Sequence, residues 1–194
     1  MFDEVNRALD EYFGKWRALI DARQDERNKE FFERLKPTTV GWKVADYEEY
    51  KKTLDEWRAS SDLISEKWMN GRWIAYLHLR DVTLNGGIEV FEILQARPDR
   101  SDVKVGLDFV DFFCMEEENA RAILEEENDI QSTKEENSGV RWISIWFDGT
   151  EAKLKAFTAF DVAEEEARRI NNKIRGQKFA VMGREAGVVT TEVE

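Results

Sequence analysis

The sequence holds one histidine, His78, and one cysteine, Cys114, so the side chains that most often serve as bases and nucleophiles are nearly missing. His78 sits in the run from Arg72 to Leu79 at the same parity as Ile74 and Tyr76, and reads as a packed or hydrogen-bonded strand residue. A Ser-His-Asp or Cys-His arrangement would have to use it, and neither Cys114 nor any serine has sequence support as its mate. Cys114 follows an apolar run and can form no internal disulfide, which marks a buried structural thiol. Carboxylates are plentiful, in the clusters 116–118, 125–127, 135–136 and 164–166, but these fall on helices or loops and read as solvated faces. No loop carries the ligand order of an EF-hand.

Acidic residues number 41 against 29 basic, and a net charge of -12 repels phosphate backbones and anionic headgroups. Neither nucleic acid nor membrane is expected as a partner. No apolar run approaches the roughly 20 residues needed to span a bilayer. The start from Met1 to Asn6 lacks a basic region followed by an apolar core, so a cytoplasmic location is expected.

The elements that would position any site follow from periodicity. Phe2, Val5, Leu9, Phe13, Trp16 and Ile20 recur at helical spacing, so residues 1–36 form a helical extension, bent or broken between Asp21 and Lys29 and stopped by Pro37. Its apolar stripe packs on the following domain or, as the functional alternative, on a second copy in a homodimer. Thr38 to Val44 reads as a strand, and Asp46 as the N-cap of a helix presenting Tyr47, Tyr50, Leu54 and Trp57. Strands follow at 63–69, 72–79 and 88–94, with turns at Asn70-Gly71 and 85–87.

The same order then recurs. A strand at 104–113 precedes a helix from Glu116 to Asn128, then strands at 130–134, 140–147 and 152–160, with turns at 137–139 and Asp148-Gly149. Arg72-Trp73-Ile74-Ala75 has a near copy in Arg141-Trp142-Ile143-Ser144, and Thr39 and Phe109 lie 70 positions apart in the two opening strands. The domain therefore spans 37–160, as halves 37–98 and 104–160. A charge-rich helix (161–178, core Ala163 to Ile174) ends near Gly176, and 179–194 forms a hairpin, a strand added to a partner's sheet edge, or a disordered tail.

Two βαβββ units with these Gly-Arg-Trp and Gly-Leu-Asp patterns resemble the vicinal oxygen chelate superfamily, which includes glyoxalases, bleomycin-resistance proteins and dioxygenases. Met69 to Arg72, Glu92 and Gly106 to Asp108 most resemble its YecM-like branch. The resemblance implies an α+β fold in which both units curl into one open mixed sheet around a cleft. It also implies a divalent ion held by a histidine in each opening strand and by later carboxylates. Here Thr39 and Phe109 stand where those histidines would be, Glu92 alone remains as a ligand, and the eighth strand offers Lys153 and Lys155. One carboxylate cannot supply the three or four donors such an ion needs, so no metal and no cofactor is expected.

Alternation puts Thr39, Gly41 and Lys43 on one strand face and Phe109 and Asp111 on its counterpart, with Glu92 nearby under the implied arrangement. Lys43, Glu92, Asp111, Thr39 and Phe109 are the cleft candidates; alternatively Lys43 merely pairs with a carboxylate inside a filled barrel. Trp42, Trp73, Trp142 and Trp146 are core or sheet-lining material. The leading expectation is a glyoxalase-like protein without its metal-binding histidines, serving as a small-molecule-binding or protein-interaction module. The alternatives are a lyase or dioxygenase with a non-standard site, His78 with Glu92, and a structural protein that dimerises through its first helix.

Overall fold

The computed structural model describes residues 1–80, 82–99, 104–115, 117–126, 131–137, 140–147, 150–156, 159–161, 163–164 and 190–192. Helix α1 (Phe2–Asp21) buries Val5, Leu9, Tyr12, Trp16 and Ile20, the stripe its spacing predicts. The chain then breaks, and Asp25 caps α2 (Glu26–Arg34) by accepting from the backbone N–H groups of Arg27 and Asn28. Strand β1 (Lys36–Val44) follows, then α3 (Tyr47–Arg58), whose first turn is closed by Asp46 accepting from the Glu49 N–H. Tyr50, Leu54 and Trp57 are buried as expected, whereas Tyr47 is exposed and stacks on Tyr50.

Strands β2 (Ser61–Met69) and β3 (Arg72–Leu79) meet through Asn70 and Gly71, both at positive φ, which is the two-residue turn that this dipeptide favours. The fourth strand, β4 (Val90–Gln95), starts two residues later than its apolar run, because Ile88 closes a small bridge with Leu84 around the glycine turn. The second half supplies β5 (Gly106–Phe113), α4 (Glu117–Glu126), β6 (Gln131–Asn137), β7 (Val140–Phe147) and β8 (Thr150–Lys155). β8 ends five residues short of expectation, and residues 159–161 are helical. The loop residues 138–139 and 148–149, and most of the expected C-terminal helix, lie outside the described residues.

Among the described residues one mixed sheet runs β6-β7-β8-β5-β1-β4-β3-β2-β9, where β9 is Thr190–Glu192. In each half the order is first, fourth, third, second strand, and the halves join at the antiparallel β1–β5 seam. First and fourth strands are parallel in both. This is the duplicated α+β architecture that the repeat predicts. β9 adds in parallel to β2.

The main core lies on one sheet face, under the helices. Trp16 stacks on Phe112 at 4.5 Å between centroids, and Trp57 stacks on Phe91 at 4.1 Å. Each such buried aromatic contributes roughly 2 kcal/mol from area alone. The α1 stripe is thus occupied within the chain, and a dimer built on it would first have to displace the helix from its own sheet. The opposite face carries only a small apolar cluster of Ile74, Leu94 and Phe109, flanked by Met69 and Tyr76.

The Arg-Trp-Ile match needs correcting. Ile74 belongs to that small cluster on the second face, whereas Ile143 lies in the main core under the helices. The two tetrapeptides occupy equivalent strands but are out of register by one residue, and a one-residue slip reverses every side chain. The topology is duplicated; the tetrapeptide is not evidence for it.

Candidate functional site

The face away from the helices gathers the charged residues of the central strands. Thr39 pairs with Asp111 across the seam, and Gly41 pairs with Phe109. On the outer sides Gly41 pairs with Glu92, and Asp111 with Lys153. Exchanging the halves, with residue 39 going to 109 and residue 41 to 111, swaps the two seam pairs with each other. It also carries Gly41–Glu92 onto Asp111–Lys153. The exchange thus makes Thr39 equivalent to Phe109, Gly41 to Asp111 and Glu92 to Lys153.

Gly41 makes room for Phe109: a Cβ on residue 41 would come within 2.5 Å of the ring. The Lys153 ammonium lies 3.1 Å from the centroid of that ring and 3.8 Å from Glu151 Oε2. Lys155 Nζ donates to Asp111 Oδ2 at 2.5 Å. Glu151 Oε1 accepts from the Ser144 hydroxyl, which in turn accepts from Trp142 Nε1 at 3.0 Å. Burial pushes the Glu92 carboxyl up, Lys155 opposes it, and Asp111 pushes it further; a hydrogen bond with Tyr76 favours the ionised form. Burial pulls the Lys153 amine down against the attraction of Asp111 and Glu151. Burial likewise lowers Arg72, opposed by Glu92 and Asp108. Three buried polar atoms in this region lack a hydrogen-bond partner: Glu92 Oε2, Asp111 Oδ1 and Arg72 Nε.

No protein-family model matches the chain, and no curated protein matches it. Among solved structures, the structural-genomics protein EC4020 superposes with a TM-score of 0.61 at 14% identity, over 85% of this chain and 88% of that one. That superposition covers most of both molecules. The fold is glyoxalase-like. Protein BH1468 from Bacillus halodurans C-125 overlaps less well, with a TM-score of 0.47 at 14% identity over 62% of this chain and 93% of its own. A methylmalonyl-CoA epimerase bound to methylmalonyl-CoA gives 0.44 at 15% identity over 62% and 92%.

In this glyoxalase-like sheet the pairing puts Thr39, Glu92, Phe109 and Asp111 on one face, and all four are buried. Lys43 does not join them; its ammonium pairs with Asp108 at 2.5 Å, the pairing that the filled-barrel alternative describes. His78 does not meet Glu92 either. Its ring packs edge-on against Phe160 at 5.0 Å, and the β3 residue opposite Glu92 is Tyr76. Trp146, expected as sheet lining, is exposed. Sequence reasoning missed Tyr76, Arg72, Ser144 and Glu151. The parity of Tyr76 with His78 could have found the first, and starting β8 at Thr150 would have found the last. Among the described residues no group of three or more His, Cys, Asp or Glu side chains could hold a metal ion.

Proposed function

We propose that this glyoxalase-like chain is a metal-independent protein that binds a small molecule on the polar face of its sheet. The observation that carries the reading is the identity of the residue equivalent to Glu92. Where a divalent site would want a second carboxylate, the eighth strand holds Lys153. Where the resemblance puts ligands, Thr39, Glu92, Phe109 and Lys153 offer a hydroxyl, a carboxylate, a phenyl ring and an amine, a set that does not fit a divalent ion of the zinc or iron kind. Lys155, paired with Asp111, brings positive charge to the carboxylates, so an added dication would meet repulsion as well as too few donors. What remains is a face of paired charges and aromatic rings, the mixture from which small-ligand sites are built.

Elemental analysis of the purified protein, before and after incubation with Zn, Mn, Ni and Fe(II) followed by desalting, tests the metal half. Substoichiometric metal is expected, and a stoichiometric ion lost on Glu92→Gln would overturn it. Thermal shifts across a metabolite panel test the other half, since a ligand stabilises by RT ln(1 + [L]/Kd). A hit should weaken on Glu92→Gln; a complete absence of hits removes the reading.

A further inference from the structure

A ligand for the polar face would first have to reach it. His78, Val90, Thr39 and Asp111 form one row across β3, β4, β1 and β5, and the last three are only 2%, 2% and 4% exposed. A sheet face with no layer on it ordinarily meets water. The buried stripes of the four helices belong to the main core on the other face, so the helices do not cover this row. The chain supplies a cover at the end of it. Phe160 lies outside the sheet, in the short helical stretch at 159–161, and its ring packs edge-on against His78 at 5.0 Å. His78 shares the parity of Ile74 and Tyr76 and so faces the polar side. Lys155, five residues before Phe160, ends β8 in the other half and reaches Asp111 on this same face. Between β8 and β3 lie β5, β1 and β4, so four strand spacings, or about 19 Å along the sheet, separate them. Five residues span at most about 18 Å. Lys155 and Phe160 are therefore joined across the polar face rather than around its rim, and the side chains of Phe160 and His78 supply the remaining reach.

Resting on the binding role proposed above, we infer that Phe160 seated on His78 is an autoinhibitory latch that closes the polar face, and that a ligand gains access only when the ring leaves. The seat suits a reversible contact. Phe160 keeps 37% of its surface in water and its ring partner is a half-buried imidazole, so releasing it exposes far less apolar surface than withdrawing a core residue such as Trp57. Apparent affinity is then reduced to the fraction of molecules that are open, and a ligand that binds the open state draws more of them into it.

Thiol labelling of the full chain tests the latch without a ligand. The native Cys114 is buried in the main core on the other face and serves as an internal control. Thr39→Cys places a thiol in the covered row, and Val90→Cys is a second reporter in case the first fails to fold. Iodoacetamide is added at about pH 8, where part of each exposed thiol is ionised, and alkylation at each site is followed by peptide mass. Phe160→Ala should raise the rate at the reporter by roughly tenfold or more and leave Cys114 at its parent rate, because local opening exposes only the region that moves. Tyr47→Ala, which removes an exposed ring on α3, should change neither site. An unchanged rate at the reporters, or an equal rise at reporter and Cys114, overturns the latch; the second result would mean that the whole fold has loosened. Because the probe is iodoacetamide, the latch can fail while metabolite hits stand. Selective exposure without any metabolite hit would leave the cover in place and remove the binding role.

Discussion

Glu92 and Lys153 occupy equivalent places in the two halves of the sheet and carry opposite charges, each facing the seam from its own fourth strand. In a duplicated fold such positions begin alike. Lys153 lies over the Phe109 ring, and burial disfavours the charged form of both members.

Glu92→Gln tests the acidic member. Burial raises its folded-state pKa above the ordinary 4.5, so its contribution to stability is fully present below that value and is lost as pH rises through the folded pKa. Glutamine undergoes no such loss. In urea denaturation the variant should gain on the parent between pH 4.5 and pH 8, by about 1–3 kcal/mol; a flat or falling difference would refute it.

Lys153→Met tests the basic member, with the opposite sign. Its folded-state pKa is depressed by burial, so its contribution is present above the ordinary 10.5 and lost as pH falls through the folded value. Methionine keeps the length without the charge. The variant should be more stable than the parent at pH 7, and the advantage should shrink as pH approaches 10.5. An advantage that grows with pH would show that the ring and carboxylates outweigh desolvation.

Gly41→Ala should destabilise by about 1–3 kcal/mol, because its Cβ would overlap the Phe109 ring at 2.5 Å and that ring is packed. Phe109→Leu should recover part of that loss in the double variant, giving a coupling energy beyond about 0.5 kcal/mol. Additive effects in a double-mutant cycle would mean that the two residues do not compete for space.

The two lysine–aspartate pairs should differ in weight. Asp111 and Lys155 side chains are 6% and 16% exposed, and Asp111→Asn leaves an ammonium short of its partner in a dry setting, at about 3 kcal/mol. Asp108 and Lys43 are 26% and 18% exposed, and Asp108→Asn should cost about 1 kcal/mol or less. Equal costs in chemical denaturation would contradict the ranking.

Local chemistry made much of the fold readable in advance. Asp46 before a helical stripe, Asn70-Gly71 between alternating runs and Pro37 after a helix each act within a few residues, so sequence alone locates them. The recurrence of strand, helix and three strands likewise pointed to two alike halves of one sheet. The site was harder, because it depends on register between strands far apart in sequence. Shifts in the seam between Pro37 and Thr39 and between Gly41 and Trp42 decide which side chains face one another, and no residue announces them. The Arg-Trp-Ile copy shows the hazard: identical letters in equivalent strands, one step out of phase, point to opposite faces. Lys43 was placed on the right face, but Asp108, three residues from the seam partner Asp111, claims its charge first.

The seam also determines how such a molecule can change. Glu92, Tyr76 and Arg72 come from one unit, Phe109, Asp111 and both lysines from the other, and they are joined by the β1–β5 ladder. The charges of this face are thus inherited jointly. Recombining one unit with the counterpart from a distant relative would keep the scaffold and redraw half of the charge map at a single stroke.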